Sequence, residues 1–207
     1  MKLFSSIKQN PSAARLFMFA IIAALSFVIP AHLSATIAAA PTLTAMQANL
    51  GINGFFATDK AQRGRTVQAA IIVDIPDGYH VNGNRPLGKY AVPTILKIEA
   101  PAGFRVSPVV YPRATVRRFS FSEEQLAVYE NRAVMRFNVT VPASYSSSAA
   151  ELRVRLRYQS CNNEACFPPA TREATVPLQI VSANEPVKRT NTALFGGGSS
   201  TKHTRRR

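Results

Sequence analysis

The chain has 207 residues, a formal net charge of +14, 46% hydrophobic residues and two cysteines. Two thiols without further clustered His or Cys ligands exclude a closed zinc or copper site, and no cofactor is expected. The basic excess comes with no stacking or groove-reading module, which argues against nucleic acid as a partner.

At the N-terminus, Lys2, Lys8 and Arg15 precede the apolar run 16–29, which Pro30 closes. The pattern reads as a secretory signal peptide, because the run is shorter than the ~20 apolar residues a membrane span needs. Cleavage is expected between about Ala35 and Ala40. The alternative is an uncleaved signal anchor, since residues 31–40 stay mostly apolar and Pro41 is a poor residue to follow a cut. Either way the remainder is exported, periplasmic or secreted, into a compartment where disulfides persist. Residues 41–63 form an N-terminal segment in which 50–56 either adds an initial strand or docks against the domain. The folded domain is placed at 64–182, enough chain for one core.

Within that domain several strands are legible from period-two alternation. In 66–75, Val67, Ala69, Ile71, Val73 and Ile75 oppose Gln68, Ala70, Ile72 and Asp74, and Pro76-Asp77-Gly78 supplies a turn. Residues 94–99 form a further strand. Tyr129-Glu130-Asn131-Arg132 reads as a hairpin turn into a strand carrying Ala133, Met135, Phe137, Val139 and Val141. Leu152, Val154, Leu156 and Tyr158 alternate with Arg153, Arg155, Arg157 and Gln159, giving one apolar and one cationic face. That cationic row is either a solvated face or a docking patch for an acidic partner. Ala174, Val176, Leu178 and Ile180 alternate in the same way, and Pro177 at an outward position indicates an edge strand. No long amphipathic helix competes, so the pattern predicts an all-β fold, an antiparallel β-sandwich of immunoglobulin-like type.

The cysteines fall between the last two strands, in Tyr158-Gln159-Ser160-Cys161-Asn162-Asn163-Glu164-Ala165-Cys166-Phe167-Pro168-Pro169. Paired strands lie about 4.8 Å apart, so residues at the ends of such a connection can meet the Cα separation a disulfide requires, roughly 4.4–6.8 Å. Pro168 and Pro169 remove two backbone donors and favour an irregular, accessible rim. Arg157 and Arg172 flank the connection and favour a thiolate, whereas Glu164 opposes one. The chemistry open to the pair is a dithiol–disulfide cycle through a mixed disulfide. The competing reading is an inert clip in an exported binding or scaffold domain.

The cysteine run, with Asp77-Gly78-Tyr79-His80-Val81-Asn82 upstream, resembles the N-terminal periplasmic domain of the thiol:disulfide interchange protein DsbD, over about residues 64–181. The resemblance implies an immunoglobulin-like domain whose cysteine pair accepts electrons from a thioredoxin-like domain or membrane electron transporter. It passes them to periplasmic oxidoreductases, disulfide isomerases or cytochrome c maturation thioredoxins among them. It implies Cys166 as the thiol engaged in mixed disulfides and Cys161 as its resolving partner, making the chain a thiol-disulfide oxidoreductase component. The chain as given carries neither the multi-span membrane domain nor the thioredoxin-like domain of full-length members, so its electron donor is expected to be another polypeptide.

The family shields its disulfide with an aromatic loop, which by position falls near Arg117-Arg118-Phe119-Ser120-Phe121-Ser122. Phe119 or Phe121 is then the shield, or both belong to the core of an alternating strand. Tyr79 and His80 occupy the family's aromatic turn and either line the site or serve structure alone. Tyr158 and Phe167 are further lining candidates.

The tail, residues 183–207, contains Gly196-Gly197-Gly198-Ser199-Ser200 and ends in Arg205-Arg206-Arg207. It reads as a disordered basic segment, either simply solvated or touching anionic membrane headgroups, cell-wall polymers or an acidic partner.

Overall fold

The computed structural model describes residues 48–196. The signal segment and residues 197–207, with the terminal arginines, lie outside them. The described chain is built from β1 (Gly51–Phe56), β2 (Ala61–Gln62), β3 (Thr66–Asp74), β4 (His80–Asn82), β5 (Ile95–Glu99) and β6 (Arg105–Val106). There follow β7 (Thr115–Arg117), β8 (Leu126–Glu130), β9 (Arg132–Thr140), β10 (Ala149–Tyr158), β11 (Ser160–Cys161), β12 (Ala170–Val181) and one helical turn, α1 (Thr192–Phe195).

Two four-stranded sheets, in the orders β1-β3-β9-β6 and β2-β12-β10-β5, form the sandwich. Alternation along the long strands decides which side chains meet between them. Ala69, Ile71 and Val73 of β3, with Met135, Phe137 and Val139 of β9, share one core with Leu152, Val154 and Leu156 of β10 and Val176, Leu178 and Ile180 of β12. Arg153, Arg155 and Arg157 stand on the opposite, exposed face, with Arg155 paired to Glu173 at 2.7 Å. Each buried aliphatic side chain contributes about 1.5–3 kcal/mol relative to leaving it in water. Ala70 and Ile72, expected on an outward face, are also buried, where their cross-strand neighbours Phe55 and Val134 share that face. β12 pairs with β10 along ten residues but with β2 only at Ile180 and Val181, so Pro177 sits where no partner strand needs its missing N–H.

A third sheet, β11-β4-β8-β7, closes one end. It is made from continuations of the sandwich strands: β3 leads through Pro76-Asp77-Gly78 into β4, and β10 leads through Gln159 into β11. β8 leads into β9 through Asn131, which has φ 58°. The expected hairpin at Tyr129–Arg132 is therefore a corner. β8 pairs with β4 and β7 while β9 pairs with β3 and β6, and asparagine tolerates the left-handed backbone that changes the direction. The Ile75 N–H donates to Asn131 O at 2.7 Å, tying two of these corners together.

Of the two readings left open for residues 50–56, the structure takes the initial strand. Residues 51–56 form β1, paired with β3 from Gly51↔Asp74 to Phe56↔Ala69, so the sandwich begins before Gly64. The segment 183–196, expected to be disordered, folds back along the end of β1. Lys60 pairs with Glu185 at 2.8 Å, Thr58 bridges Arg189, the Thr190 N–H donates to Ala57 O, and the Asn191 amide donates to Phe56 O at 2.9 Å. The backbone groups of residues 56–59 beyond β1 need partners, and the tail supplies them.

Gly54 on β1 lies directly against Val176 on β12. A Cβ placed there would come within 2.3 Å of Val176 Cγ2 and 3.0 Å of its Cβ. Gly54→Ala is expected to destabilise the domain by about 1–3 kcal/mol. Adding Val176→Ala should recover part of that loss, which a double-mutant cycle by denaturant unfolding measures.

Candidate functional site

Cys161 and Cys166 form a disulfide with their Cα atoms 3.9 Å apart. The loop between them is shaped by one side chain. Asn162 Oδ1 accepts the N–H groups of Glu164 (2.9 Å) and Ala165 (2.8 Å), an Asx turn that lets the Asn162 N–H reach Ala165 O at 3.0 Å. The Phe167 N–H donates to Ser160 O at 2.9 Å and completes a miniature hairpin within the longer β10–β12 connection. The two sulfur-bearing residues differ sharply in burial. Cys161, in the edge strand β11 between β4 and the bridge to Cys166, is 0% exposed, whereas Cys166 and the following Pro168 and Pro169 are exposed.

A half-buried amide network stands beside the disulfide. Gln159 Nε2 donates to Phe167 O at 3.2 Å, one residue from Cys166, while its Oε1 accepts from the Val92 N–H (3.2 Å) and Asn82 Nδ2 (3.0 Å). Asn82 is 1% exposed, and its backbone O accepts from Thr94 Oγ1 at 2.5 Å. A cleft of about 210 Å³ opens beside it, lined by Cys166, Gln159, Tyr90, Ala91, Phe121 and Leu126 among others. Tyr90, 84% exposed, stands at its edge. The network was missed in the sequence because Gln159 and Asn82 sit in the two motifs but meet only through the pairing of β4 with β11.

The aromatic candidates gather at this end of the fold. His80 is 2% exposed and stands opposite Cys161 in the β11–β4 register. Its ring stacks on Phe119 at 4.0 Å between centroids and 12° between planes, and lies 6.2 Å from Phe121. Phe119 and Phe121 are half-buried in the loop between β7 and β8, and neither lies in a strand, so the alternating-strand reading does not hold. Ser120 Oγ, between them, donates to Asn163 O at 3.0 Å and joins this loop to the cysteine loop. Phe167 is buried, with its ring 6.1 Å from Tyr79. Tyr158 is drawn into the main core instead, its hydroxyl donating to Ala48 O at 3.4 Å. Burial pushes that phenol up from its ordinary value, with Arg172 opposing.

Of the flanking charges, Arg172 is engaged with Asn49 Oδ1 and with Leu50 O, while Arg157 and Glu164 are exposed. The imidazole of His80 is held below its usual value, chiefly because burial disfavours its charged form, with Glu130 acting the other way.

These features define a class: an immunoglobulin-like β-sandwich that carries, at one end, a disulfide with one buried and one exposed cysteine, next to an aromatic loop. Residues 53–178 match the family described as thiol:disulfide interchange protein DsbD, N-terminal, and the chain belongs to that family of thiol-disulfide interchange modules. Among solved structures it is similar to the DsbD N-terminal domain of Neisseria meningitidis in the reduced form. The two are 16% identical with a TM-score of 0.39, the match covering 67% of this chain and 88% of that one. It is also similar to the N-terminal periplasmic domain of ScsB from Proteus mirabilis, at 15% identity and a TM-score of 0.42. That match covers 67% of this chain and 48% of the ScsB chain, so this protein spans about half of it. No curated protein matches the chain. No helix among the described residues is long and apolar enough to cross a membrane.

The depressed imidazole has a consequence for stability. The unfolded chain binds a proton at His80 near pH 6.5, above the folded value, so the unfolded state holds more protons in the window below about 6.5 and stability falls there as pH drops. His80→Phe is expected to remove that part of the acid sensitivity while leaving stability at pH 8 nearly unchanged. Urea unfolding of both proteins between pH 5 and 8 measures the difference.

Proposed function

We propose that this chain is a periplasmic electron-transfer module in which Cys166 receives and passes on reducing equivalents and Cys161 resolves. The observation that carries the reading is the asymmetry of the pair, one sulfur-bearing residue exposed on a rim and the other wholly buried. A partner thiolate approaching the rim meets Cys166 first. It attacks Cys166 Sγ, the Cys161–Cys166 bond breaks, and the electron pair leaves on Cys161 as the mixed disulfide forms. A second partner thiol then releases Cys166, and the domain is left as a dithiol. Run in the other direction, the Cys166 thiolate attacks a client disulfide and Cys161 displaces the reduced client.

Phe119 and Phe121 act as the shield. Their loop is joined to the cysteine loop through Ser120, to His80 through ring stacking and to the Lys89 N–H through Glu124, none of them a contact of the main sandwich core, so it can lift without disturbing the sandwich. The apolar cleft beside Cys166, with exposed Tyr90 at its edge, suits the apolar surround of a thioredoxin-like active site. The donor is a thioredoxin-like protein or a membrane electron transporter, and the clients are periplasmic oxidoreductases. The exported location rests on the N-terminal signal pattern and on the family.

Two measurements test this. Equilibrated against glutathione or dithiothreitol buffers, the domain is expected to show a midpoint above about −300 mV, and a lower value would mark a resistant structural bridge. Cys161→Ser should accumulate a mixed disulfide through Cys166 with a thioredoxin-like protein. Trapping by Cys166→Ser alone would reverse the assignment.

A further inference from the structure

The exchange described above leaves one buried ionisable group beside the disulfide without a task. In an antiparallel pair, directly opposite residues project to the same face with their Cβ atoms about 4.5–5.5 Å apart. Cys161 and His80 are such a pair across β11 and β4, and His80 and Glu130 are such a pair across β4 and β8. A sulfur, an imidazole and a carboxylate therefore stand in one row over three adjacent strands. That is the order nucleophile, base, orienting group that activates thiols elsewhere.

Three further observations single out His80. Its Nε2 is buried and has no hydrogen-bond partner among the described residues. Its ring is clamped against Phe119, so the orientation is held. The third concerns Cys161, which is 0% exposed and therefore sealed from bulk water as a proton acceptor.

We infer that His80 is the general base for the resolving thiol: it takes the proton of Cys161 when that sulfur attacks Cys166 Sγ, and returns it in the reverse step. This rests on the assignment of Cys166 as the thiol that forms the mixed disulfide. The Cys161 S–H bond breaks and its proton passes to the imidazole. The thiolate electron pair forms the Cys161–Cys166 bond, and the bond from Cys166 to the partner sulfur breaks. That electron pair leaves on the partner as a thiolate, so Cys161 is oxidised, Cys166 stays at the disulfide level, and the partner sulfur is reduced.

The charged groups around His80 suit the role. Burial keeps the imidazole neutral and able to accept, and Glu130 stands ready to stabilise the imidazolium. Glu130 is itself held by Arg117 from β7 at 3.0 Å, Arg118 beside Phe119 is exposed, and Phe119 and Phe121 add no charge.

The test mixes the reduced full chain with one equivalent of 5,5′-dithiobis(2-nitrobenzoate) in a stopped-flow instrument. The first release of nitrothiobenzoate reports formation of the adduct on Cys166, and the second reports its displacement by Cys161. His80→Gln and His80→Phe are expected to lower the ratio of second-phase to first-phase rate at pH 7 by at least about tenfold. They should also move the second-phase pH profile upward. Two variants with native thermal melts and the wild-type ratio and profile would overturn the inference. In the wild-type chain itself, the second phase should slow as pH falls through the imidazole midpoint read by NMR on the reduced protein. A profile with no inflection there overturns it as well. Mass mapping of the first adduct separates the two levels: an adduct on Cys161 defeats the assignment of Cys166 and the inference with it. An adduct on Cys166 with a His80-independent second phase defeats the inference alone.

Discussion

The pairing of β11 with β4 is the constraint on which the site depends. β10 has one face in the core along ten residues, and its continuation past Gln159 is only two residues long, Ser160 and Cys161. Because those two residues pair with Val81 and His80 on one side while Cys161 bridges Cys166 on the other, Cys161 is held in register at the edge of the small sheet, where it is wholly buried. Cys166, five residues on, meets the ladder through a single bridge to Cys161 on its outer side, and it is exposed. One ladder thus makes two chemically identical residues unequal, and an interchange reaction needs that inequality to give direction to attack and resolution.

Polar groups beside the disulfide reinforce the same restraint. Gln159 joins separate segments, meeting Asn82, Val92 and Phe167 in a half-buried region beside the cleft. Hydrogen bonds in such a setting add only about 0.5–1.5 kcal/mol each, but leaving a buried partner unsatisfied costs about 1–3 kcal/mol. The network consequently opposes slippage of the cysteine loop more strongly than it stabilises the fold. The aromatic loop is held by ring stacking on His80, by the Ser120 hydroxyl and by Glu124, which accepts the Lys89 N–H.

The closing sheet also explains why the fold and the site are inseparable. β4, β8 and β11 are all extensions of strands rooted in the sandwich, redirected at Pro76-Asp77-Gly78, Asn131 and Gln159. The register of the small sheet is therefore inherited from the large one. A core rearranged in β3 or β10 would carry His80 and Cys161 with it.

Much of this was legible in the residues. The period-two alternation in β3, β9, β10 and β12 determined which side chains face inward, because side chains of a strand point alternately to its two faces whatever the partner strand is. The cysteine spacing, the Pro-Pro boundary and the Gly-Tyr turn determined where the chemistry lies, since these are local in sequence. Sequence could not decide that Asn131 turns a corner, since one residue in a left-handed conformation serves a hairpin or a change of sheet equally well. Nor did composition reveal that 183–196 is ordered. Its contacts with backbone groups at residues 56–59 and with the side chains of Asp59 and Lys60 join positions more than a hundred residues apart, and nothing local in the sequence marks them. The placement of Phe119 and Phe121 in a loop over His80, the burial of Cys161 and the row Cys161–His80–Glu130 were likewise decided only by tertiary structure. Each depends on the register between strands far apart in the chain, and register is a property of the assembled sheet.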